Sequence, residues 1–135
     1  MIQLTALTSF LLNLNLFAAE QLESFVDDLT IMPACRSAVA GQIVLCEMDY
    51  TAAFYIERYP HATHRAELLV AQISAWLLQN DSNRHFGFQF PVVVDVLDDS
   101  TADLEIRIPF HEVVTATEHP SGELLFNSQR YTLDA

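Results

Sequence analysis

Residues 42–57 read QIVLCEMDYTAAFYIE. Val44, Cys46, Met48, Tyr50, Ala52, Phe54 and Ile56 take every even position from 44 to 56, while Glu47, Asp49, Thr51 and Glu57 fall on odd ones. A period of two with one wet face predicts a long antiparallel-type strand. Immediately upstream, residues 30–38 can fold back as its partner across a tight Ala40-Gly41 turn. That register sets Cys35 opposite Cys46, either as two reduced thiols, the default in a cytosol, or as a cross-strand disulfide. Downstream, Tyr59-Pro60-His61 turns the chain, and Thr63 is a candidate N-cap for a helix reaching about Gln79.

That helix is apolar on two sides. Ala66, Leu69, Val70, Ile73, Trp76 and Leu77 form one stripe, and Leu68, Ala71, Ala75 and Leu78 extend it to a second. Both sides call for cover, by a sheet on one and by N-terminal helices or a neighbouring subunit on the other. The polar run Asn80-Asp81-Ser82-Asn83 ends it. Alternation resumes at Phe88, Phe90, Val92, Val94 and Val96, and again at Ala102, Leu104, Ile106, Ile108 and Phe110, giving a hairpin around the acidic loop Asp98-Asp99-Ser100-Thr101. A last short pair, residues 113–117 and 123–126, leads to a Tyr131-Thr132-Leu133 tail. At the other end, Leu4, Leu7, Leu11 and Leu14 lie on one helical stripe. A second helical piece over about residues 18–28 buries Leu22, Phe25, Val26 and Leu29, and Pro33 forbids its continuation. The order of elements reads as an α+β fold: an antiparallel sheet with N-terminal helices and one long central helix packed on one face.

The chain has 135 residues, fits a single domain spanning 1–135, and is 51% apolar with 3 Gly, which suits a packed core. It has 18 Asp plus Glu against 6 Lys plus Arg, for a formal charge of −12. All the cations are arginines: Arg36, Arg58, Arg65, Arg84, Arg107 and Arg130. So acidic a chain without a basic cluster is a poor ligand for nucleic acid or an anionic membrane, and any charged partner should be cationic. The apolar stretch over residues 10–19 has no positive flank, and Asn13 and Asn15 interrupt it, so it reads as neither signal peptide nor membrane span. The expectation is a soluble, intracellular protein.

Motifs for chemistry are missing. There is no nucleophile elbow and no glycine-rich phosphate loop. His61-x-x-His64-x-x-Glu67 has metal-like spacing but straddles a helix entrance, and the acidic turn at residues 98–103 lacks the glycine and distal glutamate of a calcium loop. The expectation is no catalytic site, no metal and no cofactor. What remains is surface. Outward strand positions carry Glu47, Asp49, Glu57, Asp95, Asp103 and Glu105, with Arg58 and Arg107 among them. Such a face either keeps the sheet solvated or, in the sharper reading, meets a second subunit.

Two runs carry a family resemblance: DYTAAFYIERYPHATHRAELLVAQISAWLLQND, residues 49–81, and FGFQFPVVVDVLDDSTADLEIRIPFHEVV, residues 86–114. Their order is a strand, a helix ending in Ala75-Trp76-Leu77, a strand with Asp95, a serine-containing hairpin and an alternating strand. This resembles the phage tail completion protein R family (GpR-like) of contractile-tailed temperate phages and prophages over about residues 41–126. The resemblance implies a tail-terminator-like structural protein. It would form a homo-oligomeric ring, hexameric by analogy with tail terminators, that caps the head-proximal end of the tail tube or sheath and prepares it for the head-tail connector. Its place would be the host bacterial cytoplasm during assembly and then the virion tail. The family supplies no residue roles; from the residues themselves, Arg58, Arg65 and Arg107 are candidate subunit or tube contacts, and Asp98, Asp99 and Asp103 form a candidate acidic contact loop. The alternative is a small acidic adaptor or chaperone-like module that holds a cationic partner segment.

Overall fold

A computed structural model describes residues 1–81 and 87–134. Its elements are α1 (Ile2–Asn13), a 3-10 turn at Ala19–Gln21, β1 (Leu22–Ser37), β2 (Gln42–Tyr59), α2 (Ala66–Asn80), β3 (Val92–Val96), β4 (Ala102–Glu118), β5 (Leu124–Phe126) and β6 (Gln129–Leu133). The strands bond in the order β1-β2-β4-β6-β5, and β3 also pairs with β4. The structure is therefore mostly antiparallel sheet with two short helices. This corrects the expected α+β, tail-terminator-like layering, in which helices around a long central one cover one face of the sheet.

The largest single departure is at residues 18–28, where a helix was expected and β1 begins instead. Leu22, Phe25, Val26 and Leu29 satisfy a helical stripe, yet an isolated helix of that length is marginal. Pairing with β2 decides the outcome. Gln21 fixes the start: its side-chain oxygen accepts from Ala18 N–H at 2.7 Å, and its amide donates to the carbonyls of Glu57 at 2.7 Å and Arg58 at 3.0 Å. α2 is where the spacing put a helix, but it starts at Ala66 with Arg65 as N-cap. Thr63 and His64 are held in a turn by their N–H bonds to Pro60 O. Of the run expected to stop α2, Ser82 and Asn83 lie outside the described residues, as does Arg84.

The chain packs as two compact units, Met1–Asp27 with Thr51–Pro109 and Asp28–Tyr50 with Phe110–Ala135, so β1, β2 and β4 each contribute to both. In the first unit the even faces of β2 and β4 are buried as read, at Ala52, Phe54, Ile56, Ala102, Leu104, Ile106 and Ile108, and the small Ala53 at an odd position is buried as well. Leu7 and Leu11 of α1 and Leu69, Ile73 and Leu77 of α2 complete that core, with the Phe10 and Trp76 rings 6.3 Å apart. Arg58 breaks the alternation. Its left-handed backbone, φ 53, spends one extra exposed residue, and Tyr59 consequently turns inward and is fully buried. β3 is shorter than the alternation suggested, with Phe88 and Phe90 stacked on each other ahead of it at 6.1 Å.

The second unit has a smaller core of Val44, Tyr50, Phe110 and Ala116. The β1–β2 hairpin is present, but Ala38 N–H bonds to Gln42 O at 3.1 Å and Gln42 N–H to Val39 O at 3.0 Å, so the loop has three residues closed by Gly41 at φ 76. Cys35 is exposed and Cys46 half-buried, and both are free thiols. The expected pairing of residues 113–117 with 123–126 is replaced. β6, read as a tail, lies between them and pairs Ala116 with Leu133 and Leu124 with Tyr131. Asn127 and Ser128, at φ 50 and 64, make the mirror-image turn that suits a two-residue hairpin. Asp134 then accepts from the Thr115 hydroxyl at 2.6 Å, Gln42 at 2.8 Å and the Thr117 hydroxyl at 2.7 Å, bonds that hold its carboxyl below the usual range.

Candidate assembly surface

In the first unit, α2 buries only one of its two apolar stripes. Leu69, Ile73, Trp76 and Leu77 are inside, whereas Leu68, Ala71, Ala75 and Leu78 are exposed, Leu78 by 77%. Among the described residues, nothing supplies the cover that the sequence called for on this second side. At the edge of the same unit, β3 exposes Val93, Val94 and Val96. Val94 and Val96, with Ala102, Leu104 and the Arg65-Ala66 start of α2, line a groove of about 260 Å³.

The six candidate contact residues all belong to this unit, and their states differ. Arg107 is engaged within the chain, paired with Asp27 and, at 3.2 Å, with Glu105; these bonds hold its guanidinium charged still more firmly than usual. Arg65 forms an exposed pair with Glu67 at 2.9 Å, worth little in water. Arg58 is exposed at its bulge. Asp98 organises its own loop: one carboxylate oxygen accepts from Ser100 N–H at 2.8 Å, Thr101 N–H at 2.7 Å and the Thr101 hydroxyl at 3.0 Å, which lowers its pKa. Asp99 is exposed beside it. Asp103 accepts from the Tyr55 hydroxyl at 3.2 Å and Arg58 N–H at 3.0 Å. Partial desolvation, and after it the carboxylates of Asp103, Glu57 and Asp95, raise the Tyr55 hydroxyl pKa, so three carboxylates converge on this face. Of the metal-like run, His61 faces the Asp98 carbonyl at 3.2 Å and Glu67 faces Arg65. Among the described residues no three His, Cys, Asp or Glu side chains converge to hold a metal ion.

The second unit carries a charge ladder that the sequence did not reveal. His111 Nδ1 lies 2.8 Å from Asp49 Oδ1 and its Nε2 3.0 Å from Glu47 Oε1, while Arg36 reaches Glu47 at 3.3 Å. The bond to Asp49, followed by that to Glu47, raises the imidazole pKa against a smaller opposing desolvation. Since the folded value exceeds the ordinary 6.5, this stabilisation is complete below 6.5 and is lost as pH rises through the folded value. Wild-type protein should therefore lose stability with rising pH in that window more than His111→Gln does. Urea midpoints on either side of it test this, and parallel pH profiles would show the ladder to be inert.

A family model described as P2 phage tail completion protein R (GpR) matches residues 1–135. An uncharacterized 19.2 kDa protein from the rep-hol intergenic region of Haemophilus phage HP1 (strain HP1c1) is 31% identical over 113 residues, 82% of this chain and 68% of that one. No solved structure matches. No helix among the described residues is long and apolar enough to cross a membrane.

Proposed function

Because the chain belongs to the P2 phage tail completion protein R (GpR) family and so serves phage tail assembly, we propose that it acts as a terminator-like cap. In this reading it closes into a ring, hexameric by analogy, on the head-proximal end of the tail tube or sheath and presents the surface that meets the head-tail connector. Its role is structural, with no catalytic step. The uncovered stripe Leu68, Ala71, Ala75 and Leu78 supports self-association, because an apolar helix side left in water is the side a neighbouring subunit would cover. Head-to-tail contacts of one such patch with a different patch on the next copy close into a ring when the rotation allows. Arg58 and Arg65, both exposed, are the candidate cations for those contacts, with Asp98 and Asp99 as exposed acceptors.

Light scattering on the purified chain should show a closed oligomer that sediments with assembled tail tubes. Leu78→Glu should release monomer without unfolding it. A chain that stays monomeric at high concentration and ignores tail tubes would sink the proposal. The adaptor reading draws on the acidic face around Asp95 and Asp103, and it differs in one respect: its binding should weaken steeply with salt, whereas an apolar ring interface persists.

A further inference from the structure

We propose that the open edge of β3 is a strand-docking site for an extended segment of a different polypeptide in which basic and apolar residues alternate. The proposal rests on the tail-assembly reading, since it names the chemistry of a partner there. Among the described residues β3 pairs only with β4. Arg107 N–H bonds to Pro91 O at 3.2 Å and Leu97 N–H to Thr101 O at 3.0 Å, so the odd residues of this segment direct their backbone groups to β4. By antiparallel alternation, Val92, Val94 and Val96 direct theirs to the open edge. An incoming strand thus finds a ready row of donors and acceptors.

The two faces of that edge differ in chemistry, and the difference specifies the guest. On one face Val94 and Val96 stand opposite the buried Leu104 and Ala102, yet remain 52% and 64% exposed above the groove. Alternate residues of a guest strand pointing this way would be apolar. On the other face Asp95 stands directly opposite Asp103, and Val93 opposite Glu105. Like charges across a strand pair repel, and a cation inserted beside them relieves the repulsion. The intervening residues of the guest would therefore be Arg or Lys. A second copy of this chain is a poor guest, because it has no lysine and no two arginines spaced two residues apart.

The test uses the full-length protein and a short end-capped peptide alternating arginine and valine, with binding followed by fluorescence anisotropy. Two further peptides serve as controls, one with glutamate for arginine and one N-methylated along a single backbone edge. The arginine peptide should bind, and both controls should bind at least about tenfold more weakly, a difference of roughly 1.4 kcal/mol. Val94→Pro removes an edge donor that β4 does not use, so it should weaken binding by a similar factor while Trp76 still reports a folded chain. Asp95→Lys should do the same through charge, and it keeps the question open to measurement if the proline variant unfolds. Equal binding of the glutamate peptide, equal binding by both variants, or no binding by the wild type overturns the proposal. Complementation of a tail-defective phage separates the two readings. Variants that lose the peptide yet complete tails remove the docking site from the tail role, whereas wild type that binds peptide without completing tails removes the tail role itself.

Discussion

Replacing Phe54 with alanine is expected to cost about 3–5 kcal/mol of unfolding free energy, a large share of the roughly 5–15 kcal/mol that holds a domain together. The ring is fully buried on the inward face of β2, in the unit whose core also holds Ile56, Leu104, Ile106 and the α1 and α2 leucines. Its removal forfeits the transfer of a whole aromatic side chain and leaves a cavity that a close-packed interior fills only in part. The control is Val93→Ala, at a position 55% exposed on the edge strand, where the change should stay within about 0.5 kcal/mol. Trp76, the only tryptophan, belongs to the same unit as Phe54 and gives a local signal for urea unfolding. Equal midpoint shifts for the two variants would mean that this core is not the one holding the first unit.

Gly122→Ala should be the most damaging conservative change in the second unit. A Cβ there would meet the Tyr131 carbonyl oxygen at 2.3 Å, its carbonyl carbon at 2.4 Å and its nitrogen at 2.7 Å, all of them backbone atoms in β6. No rotamer change can relieve that overlap. β6 must shift, and in shifting it loses register with β4, with β5, or with both; overpacking of this kind costs about 1–3 kcal/mol or more. Gly41→Ala separates sterics from backbone preference. Gly41 has φ 76 but nothing within 4 Å of an added Cβ, so that variant bears only the left-handed strain of about 1–2 kcal/mol. Hydrogen exchange at Tyr131 and Leu133 should show protection lost in Gly122→Ala and kept in Gly41→Ala. The reverse order would refute the close approach.

The alternating faces of β2 and β4 and the stripe of α2 were legible because each is a local pattern whose buried side any fold must cover. Residues 18–28 were not legible, since Leu22, Phe25, Val26 and Leu29 satisfy a helix locally and only pairing with β2 settles the matter. β6 escaped notice because Asn127-Ser128 is a weaker turn signal than an Asn-Gly pair. The candidate site was legible in part. Asp98, Asp99 and the second stripe of α2 sit where the spacing placed them. The engagement of Arg107 with Asp27, 80 residues away, and the clamping of His111 by Glu47 and Asp49, more than 60 away, depend on strand neighbours that no local pattern specifies.

The division of the chain also imposes an order in time. The first unit is built of residues no later than Pro109, whereas the second joins Asp28–Tyr50 to Phe110–Ala135 and is fastened by Gln42 and Asp134, 92 residues apart. On the ribosome, where domains fold as they emerge and elongation runs at about 5–20 residues per second, the hairpin of β1 and β2 must wait on the order of seconds for its partners. During that wait Val44 and Tyr50, which are buried in the finished unit, lack Phe110 and Ala116, so the nascent chain is most open to mispairing before β4 is complete.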